Sequence, residues 1–355
     1  MRIPAAVLAL LLIAVPAAAI TLNPGDLVVI DTNAKAIVHV DPNTGARQTI
    51  SKWERNGTAR IGFPWDIKID EQGRILVADM NQGAIFEIDP ATGTRTRLTG
   101  RDFGSGPPIG AMRGITPDGA GGAYAAETKP HRILHVDLTT GARRIVSGNG
   151  VGIGVPLPFP HEIVLETAGT LLVNSKSRSA VIRVDPKTGE RSTVSSKEVG
   201  TGHPLKTPFG MALLADGNIA ISDRENAEIV FVDTENGDRH LIASAERGKG
   251  PVLKTPWGIE QSADGNLIVV DLGTWAIYRV DLDSGDRSVI SSKEVGSGEK
   301  LRLPRNVAIV PGAEAGPRSD PPSRIVLTVA AAAVLFALAF AAFRWRSSPS
   351  TENPK

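Results

Sequence analysis

The 355-residue sequence contains no cysteine. The chain therefore tolerates an oxidising compartment without any disulfide, and its stability must come from burial and backbone pairing. An excess of one charge is also missing, because 39 Lys and Arg residues are balanced by 38 Asp and Glu residues. Nucleic-acid-binding domains normally present a basic face, so this balance predicts no nucleic-acid partner.

Several patterns typical of enzymes are absent as well. The sequence has no Ser-His-Asp spacing, no cluster of His or Cys ligands and no calcium-loop motif. Long helical patterns are also lacking in the body of the chain. Catalysis therefore has little support from local motifs, and the sequence favours a protein that is not an enzyme.

An apolar segment at the N-terminus is typical of a targeting sequence. A charged start at Arg2 is followed by the apolar run 3–15 and by the small residues Ala17 and Ala19. This pattern predicts a signal peptide, residues 1–19, cleaved near Ala19. An uncleaved anchor is the alternative, but the run is short for a membrane span.

A second apolar segment near the C-terminus predicts a membrane anchor. Residues 325–343 form an uncharged apolar run of 19 residues, which as a helix extends roughly 28 Å and spans a bilayer. A Pro-rich linker, 313–324, precedes the run, and Arg344 follows it. Because positive charge favours the cytoplasmic side, we expect residues 344–355 to be a cytoplasmic tail and the body to lie outside the cytoplasm. A buried core helix is the alternative.

The body, residues 20–312, contains a string that repeats at a fixed spacing. A Val or Ile followed by Asp recurs every 48 residues, with the aspartates at Asp41, Asp89, Asp137, Asp185, Asp233 and Asp281. A period of about 40 to 50 residues rich in β-formers is typical of propeller blades. Most of these aspartates begin an Asp-x-x-Thr-Gly or similar string, which predicts a tight turn between the last two strands of each blade. We interpret the aspartates as turn formers.

Four strands fit within each period, and the ring closes through the last of them. In the second period the predicted strands A, B, C and D are residues 64–70, 75–79, 84–89 and 94–98. The first strand B, 27–31, has no strand A before it, whereas a sixth strand A follows at 304–310. The sequence therefore predicts an all-β, six-bladed β-propeller whose ring is closed by a C-terminal strand A, plus one C-terminal transmembrane helix.

The last complete repeat reads Pro256-Trp257-Gly258-Ile259, then Asp264-Gly265-Asn266-Leu267, then Ile277-Tyr278-Arg279-Val280-Asp281. This unit resembles the NHL repeat, whose propellers act mostly as binding platforms for diverse partners. The resemblance implies a binding or scaffold module for a protein, a glycan or a small ligand, without a cofactor.

A more distant similarity is to the gluconolactonase and regucalcin family, which is six-bladed and binds a divalent metal in its channel. This similarity implies the alternative function, a metal-dependent hydrolase or lyase with a cation such as calcium. The sequence departs from the ligand strings of that family, since it reads Gly62-Phe63-Pro64 and Pro208-Phe209-Gly210 at two of these places. No metal ligand can therefore be transferred by position.

The first residues of the six A strands are the candidate ligand-binding residues. They should surround one mouth of the central channel, and they are Trp65, Arg113, His161, Phe209, Trp257 and Arg305. A ring of aromatic faces, guanidinium groups and an imidazole can hold an anionic or sugar-like ligand. The structural alternative is that the aromatics cover the core between blades while Arg pairs with Asp66 or Glu162.

Three further sets of periodic positions complete the candidates. The next register contains Asp66, Glu162 and Asn306, which are the metal ligands under the alternative function. The ends of the B strands are expected to bind backbone amides, with Glu127 and Ser175 departing from Asp. Gly-x-Gly recurs in five connections between blades, and we interpret it as turns with positive φ rather than phosphate loops.

Overall fold

The computed structural model describes residues 19–53, 60–148 and 150–312. No helix in these ranges is long and apolar enough to cross a membrane. The predicted signal peptide, apart from Ala19, lies outside the described residues, as do the predicted linker, transmembrane helix and cytoplasmic tail.

The described ranges form six antiparallel sheets of four strands each, which we number as blades 1 to 6. Blade 1 contains β1 (Leu27–Asp31), β2 (Ala36–Val40), β3 (Arg47–Lys52) and β24 (Pro304–Ile309). Blade 2 contains β4 (Pro64–Ile69), β5 (Ile75–Asp79), β6 (Ala84–Ile88) and β7 (Arg95–Thr99). Blade 3 contains β8 (Ala111–Pro117), β9 (Gly122–Lys129), β10 (Arg132–Asp137) and β11 (Arg143–Ser147).

The other three blades repeat this arrangement. Blade 4 contains β12 (Pro160–Leu165), β13 (Leu171–Ser175), β14 (Ala180–Val184) and β15 (Arg191–Ser195), with a one-turn 3-10 helix at Lys176–Arg178. Blade 5 contains β16 (Pro208–Leu213), β17 (Ile219–Asp223), β18 (Glu228–Val232) and β19 (Arg239–Ala243). Blade 6 contains β20 (Pro256–Gln261), β21 (Leu267–Asp271), β22 (Ala276–Val280) and β23 (Arg287–Ser291).

The ring closes as the strand count predicts. Strand β24 pairs with β1 in antiparallel register, with Ile309 opposite Leu27 and Val307 opposite Val29. The innermost strands β24, β4, β8, β12, β16 and β20 contact one another in that order around the ring, and β20 contacts β24. The predicted six-bladed propeller is therefore confirmed, and the first blade takes its inner strand from the end of the domain.

The predicted strand boundaries in blade 2 are correct to within one residue. Strand A ends at Ile69 because Asp70 already belongs to the turn, where its Oδ1 accepts from the amides of Gln72 at 3.0 Å and Arg74 at 2.9 Å. Strand D begins at Arg95 because Thr94 still belongs to the preceding turn, where its amide donates to Oγ1 of Thr92. Strand B has the predicted bounds.

The core lies between the blades. The register expected to fill it is buried throughout, and it consists of Ile67, Ile115, Ile163, Met211, Ile259 and Val307. Apolar clusters join neighbouring blades; in one, Val28 and Ile30 of blade 1 pack with Ile75 and Val77 of blade 2. Because the sequence has no cysteine, no disulfide links the blades, and this burial contributes to holding the ring together.

The turn predictions are confirmed. In the first C–D turn, Oδ1 of Asp41 accepts from the amide of Asn43 at 2.8 Å, and Gly45 has a φ of 70°. All ten glycines of the Gly-x-Gly pairs have a positive φ. At Gly200 a Cβ atom would lie 1.9 Å from the carbonyl oxygen of Gly237, so the connection packs directly on the next blade.

An arginine that sequence reasoning missed joins adjacent blades. The first residue of strand D is Arg in all six blades: Arg47, Arg95, Arg143, Arg191, Arg239 and Arg287. The guanidinium of Arg239 donates to Oγ of Ser195 at 2.6 Å, to the carbonyl of Val199 at 3.0 Å and to the carbonyl of His203 at 2.8 Å. Each arginine thus bonds the preceding blade or the connection that follows it, and its spacing of 48 residues was a visible signal.

Candidate ligand-binding site

The start of each strand A and the end of each strand B lie at the same face of the ring. Pro64 pairs with Asp79, and Pro208 pairs with Asp223. The B–C turns and the residues that lead into each strand A therefore share this face, which we call the upper face. The C–D turns lie at the other ends of the C strands, which we call the lower face, and the earlier part of a D–A connection packs on the C–D turn of the next blade, as Gly200 does on Gly237.

Four of the six candidate residues meet at the upper end of the channel. The ring centroids of Trp65 and Trp257 are 5.6 Å apart, those of Trp257 and Phe209 are 4.2 Å apart, and those of Phe209 and His161 are 4.3 Å apart. We call these four residues the aromatic cluster. Its members are buried, with Trp65 and Trp257 each 8% exposed and Phe209 2% exposed. The rings therefore pack on one another at the start of the inner strands.

The remaining two candidates, Arg113 and Arg305, stack on this cluster. Cζ of Arg113 lies 4.4 Å from the centre of the Trp65 ring, and Cζ of Arg305 lies 4.9 Å from Trp65 and 4.7 Å from Trp257. The pairing of Arg with Asp66 or Glu162, which the structural alternative expected, is not observed. Cation–π contacts hold both guanidinium groups instead.

Two cations that sequence reasoning missed extend the same surface. Nζ of Lys176 lies 5.2 Å from the Phe209 ring centre, and Cζ of Arg224 lies 5.3 Å from Phe209 and 5.2 Å from Trp257. Both residues directly follow a strand B, 48 residues apart. Reading that register one position beyond the strand end would have found them. We call Arg113, Lys176, Arg224 and Arg305 the upper cations.

The upper cations have no carboxylate partner within ion-pair distance in residues 19–53, 60–148 and 150–312. Glu225 is the nearby acid, but its carboxylate accepts from Oγ1 of Thr207 at 2.8 Å and pairs with Nζ of Lys206 at 3.0 Å. The side chain of Arg305 makes one hydrogen bond, from Nε to Oγ1 of Thr32 at 3.2 Å. The mouth therefore carries four cations and one nearby carboxylate, Glu225, which pairs with Lys206 and also feels the charge of Lys176.

A cavity of about 390 Å³ opens beside these cations. Its lining consists of Lys176, Thr207, Arg224, Glu225 and Thr255. Because the faces of Phe209 and Trp257 are already covered by Arg224, a molecule in this cavity meets charges and hydroxyl groups rather than aromatic rings. The cavity therefore suits an oxyanion.

Burial and mutual repulsion change the proton equilibria of this mouth. Burial, assisted by the neighbouring Arg224 and Arg113, lowers the pKa of Arg305 to about 10. Burial also lowers the pKa of His161 well below its ordinary value, with Arg113 as the second cause. At neutral pH the arginine is charged and the imidazole is neutral, so His161 offers one donor and one acceptor nitrogen.

The three residues of the metal alternative also lie together, just beneath the aromatic cluster. Nδ2 of Asn306 donates to Oδ1 of Asp66 at 2.6 Å, and Oδ2 of Asp66 accepts from the amide of Ile115 at 2.8 Å. Oδ1 of Asn306 accepts from the amide of Val307 at 2.9 Å. The oxygens of Asp66 and Asn306 are thus already bonded.

An ammonium group stands among these carboxylates. Nζ of Lys68 lies 2.5 Å from Oε1 of Glu260 and 3.6 Å from Oε1 of Glu162. Burial, with the charge of Asp66 as the second cause, raises the pKa of Glu162 well above its ordinary value. One carboxylate oxygen without a hydrogen bond, Oε1 of Glu162, remains as a ligand, and it faces a cation. The arrangement does not fit a divalent metal, and no group of three or more metal-binding side chains occurs in the described ranges.

The ends of the B strands have the predicted structural role. The carboxylate of Asp79 accepts from the amides of Phe63 at 3.1 Å and Gln82 at 3.0 Å. The two departures are bonded as well, since Glu127 pairs with Arg132 and Oγ of Ser175 donates to the carbonyl of Pro158 at 2.6 Å. Neither departure creates a site.

The sequence matches no protein-family model and no curated protein. At these low sequence identities a structural similarity shows the fold alone. Several solved structures have a similar fold. One is from a nidogen/laminin complex, with a TM-score of 0.62 and 14% identity, covering 80% of this chain and 98% of that one.

A protein of unknown function from Bacteroides caccae gives a TM-score of 0.57 and 16% identity, covering 81% of this chain and 99% of that one. Virginiamycin B lyase from Staphylococcus aureus, solved with quinupristin, gives a TM-score of 0.53 and 17% identity, covering 80% of this chain and 88% of that one. These neighbours agree with the six-bladed architecture and include both a protein-binding and a lyase example. The NHL assignment stays a prediction, because no family model matches.

Proposed function

We propose that this protein is an extracytoplasmic binding module, tethered to a membrane through residues 325–343, whose upper face recognises an anionic ligand. The observation that carries the proposal is the group of upper cations, which have no carboxylate partner in the described ranges.

A bound anion would compensate positive charge that the folded protein holds at a cost. Arg224 and Arg113 repel the charge of Arg305, and burial removes water from Arg305 and part of the water from Arg113, whereas Arg224 is exposed. The cation–π contacts offset part of this cost and hold the side chains in place. An oxyanion supplies the missing charge and accepts several hydrogen bonds from groups that are already positioned, so little conformational entropy is lost on binding.

The fold comparison supports a binding role by analogy. The nidogen propeller is part of a complex with laminin, so a ring of this architecture can serve as a recognition surface. The exported, membrane-tethered location is part of the proposal and rests on the apolar runs near both ends of the sequence.

A thermal-shift titration tests the proposal. The melting temperature of the full-length protein in detergent is measured with rising inorganic phosphate, and with chloride at equal ionic strength. A bound ligand at 100 times its Kd stabilises the folded state by about 2.7 kcal/mol. We expect phosphate to stabilise the protein beyond its general salting effect, and Arg224→Met to lose this excess.

The matched control is Arg144→Met, since Arg144 is exposed and lies on strand D, away from the mouth. Equal phosphate responses in the wild type and the Arg224→Met variant would overturn the proposal. The alternative function, a metal-dependent hydrolase or lyase using Asp66, Glu162 and Asn306, predicts a divalent cation such as calcium. Elemental analysis of the purified protein would support that alternative if the metal were stoichiometric and lost in Asp66→Asn.

A further inference from the structure

Buried polar atoms without a partner lie beneath the upper cations. Nε1 of Trp65, Nε of Arg113 and both ring nitrogens of His161 are inaccessible to solvent and make no hydrogen bond of good geometry to a described residue, although the nearby backbone of Phe209 opposes the fall in the pKa of His161. Buried polar groups in folded proteins nearly always have a partner, so each exception needs an explanation such as a water or a bound group. Four such atoms on three neighbouring side chains indicate one common cause.

These three side chains lie next to one another. The ring centroids of Trp65 and His161 are 5.6 Å apart, and Cζ of Arg113 lies 4.4 Å from the centre of the Trp65 ring. We call the three residues the polar recess. With His161 neutral, the recess offers three N–H donors and one acceptor nitrogen. That set suits an oxyanion that accepts several hydrogen bonds, whereas a cation finds one acceptor in the recess.

The recess and the 390 Å³ cavity are neighbours across one ring. The His161 ring lies 4.3 Å from the centre of the Phe209 ring, while Cζ of Arg224 lies 5.3 Å and Nζ of Lys176 lies 5.2 Å from the same ring centre. The centre of the His161 ring is therefore separated from Nζ of Lys176 and from Cζ of Arg224 by at most about 10 Å. A short carbon chain covers that separation, and the cavity volume is within the range of small-molecule sites.

We propose that the upper face binds a small molecule with two oxyanion groups on a short carbon chain. One group binds Lys176 and Arg224 in the cavity, and the other enters the polar recess and bonds Trp65, Arg113 and His161. This inference rests on the proposed function and adds the ligand class and the second subsite. The hydroxyl of Thr255 in the cavity lining can bond a polar substituent of such a chain, whereas that of Thr207 already donates to Glu225 at 2.8 Å.

The test compares ligands with one and two charged ends. The full-length protein in detergent is titrated calorimetrically with acetate, succinate and glutarate at pH 7 and constant ionic strength. Because the second group binds intramolecularly once the first is held, at least one dicarboxylate should bind about tenfold or more tightly than acetate. His161→Phe keeps an aromatic ring in the cluster but removes both nitrogens, and it should bring that ratio close to one.

His240→Phe is the matched control, because His240 is exposed on strand β19 and stacks on Phe231 away from the mouth. It should keep the wild-type ratio. If His161→Phe does not fold, Trp65→Phe removes one donor of the recess and should lower the ratio in the same direction.

The outcomes separate the two proposals. Equal affinities for acetate and both dicarboxylates, together with phosphate binding that depends on Arg224, would mean that the recess holds only water. The two-ended ligand is then overturned and the anion-binding function stands. Failure of every anion, phosphate included, to bind in an Arg224-dependent manner would overturn both.

Discussion

Replacing Arg239 should show that the periodic arginines of strand D hold adjacent blades together. The Arg239→Met change removes the guanidinium but keeps a long apolar stem in the same space. In the folded protein that guanidinium donates to Oγ of Ser195 at 2.6 Å, and to the carbonyls of Val199 at 3.0 Å, Gly237 at 3.2 Å and His203 at 2.8 Å. The change therefore cuts four contacts, three of them to the preceding blade or the connection that follows it.

The expected magnitude follows from what the lost donor leaves behind. A hydrogen bond from a charged group contributes about 1.5 to 3 kcal/mol, and a buried acceptor left unbonded costs about 1 to 3 kcal/mol. Two offsets apply: Oγ of Ser195 still donates to the carbonyl of Gly237 at 2.7 Å, and burial already penalises the charged guanidinium, whose pKa it lowers. We expect a net loss of about 3 kcal/mol in the free energy of unfolding.

Urea unfolding followed by tryptophan fluorescence measures this loss. Arg144→Met is the matched control, because Arg144 is exposed and its side chain makes no hydrogen bond to a described residue, so its change should stay within about 0.5 kcal/mol. Arg239→Lys should fall between the two, since one ammonium cannot replace the planar fork of donors. Equal midpoints for Arg239→Met and Arg144→Met would refute the role of these arginines.

Three further predictions concern closure, topology and pH. Expression of residues 20–300, which lack β24 and so expose the edge of β1, should give aggregate; a monomer as soluble and cooperative as residues 20–312 would contradict ring closure. A tag after Lys355 should resist protease added to intact cells, and its digestion would contradict the predicted orientation. Burial lowers the pKa of His161, so below about pH 6.5 the unfolded chain binds more protons than the folded protein. The free energy of unfolding therefore decreases as the pH is lowered. His161→Phe should therefore gain stability relative to the wild type from pH 7 to pH 5, by at most about 1.4 kcal/mol per pH unit in urea titrations; a constant difference would contradict a buried, neutral imidazole.

The fold could be predicted almost completely from the sequence because its determinants are local and repeated. Turn aspartates such as Asp41, and glycines that need a positive φ, recur every 48 residues and fix where each strand ends. The missing first strand A and the extra strand 304–310 then allow one arrangement of the ring. No long-range information is needed beyond the count of strands.

The candidate site was predicted only in part, because the side chains at one register position differ in length and charge from blade to blade. The aromatic cluster lies at the mouth where the register placed it, but the pairing of Arg with Asp66 or Glu162, given as the structural alternative, is not observed. Lys68, two residues beyond Asp66 on the same inner strand, reaches Glu162 and Glu260 and so takes the place expected for an arginine. Lys176 and Arg224 lie one residue past the strand ends, where the composition varies between blades and no consensus marks them.

The central claim, that the upper face is the binding face, is tested most directly by amide hydrogen exchange of the full-length protein with and without succinate. The account predicts slower exchange in the B–C turns 176–179 and 224–227 and in the adjoining connection 204–207, because the cavity and the upper cations lie there. Slower exchange confined to the C–D turns of the lower face, at 185–190 and 233–238, with no change in the upper-face segments, would contradict it.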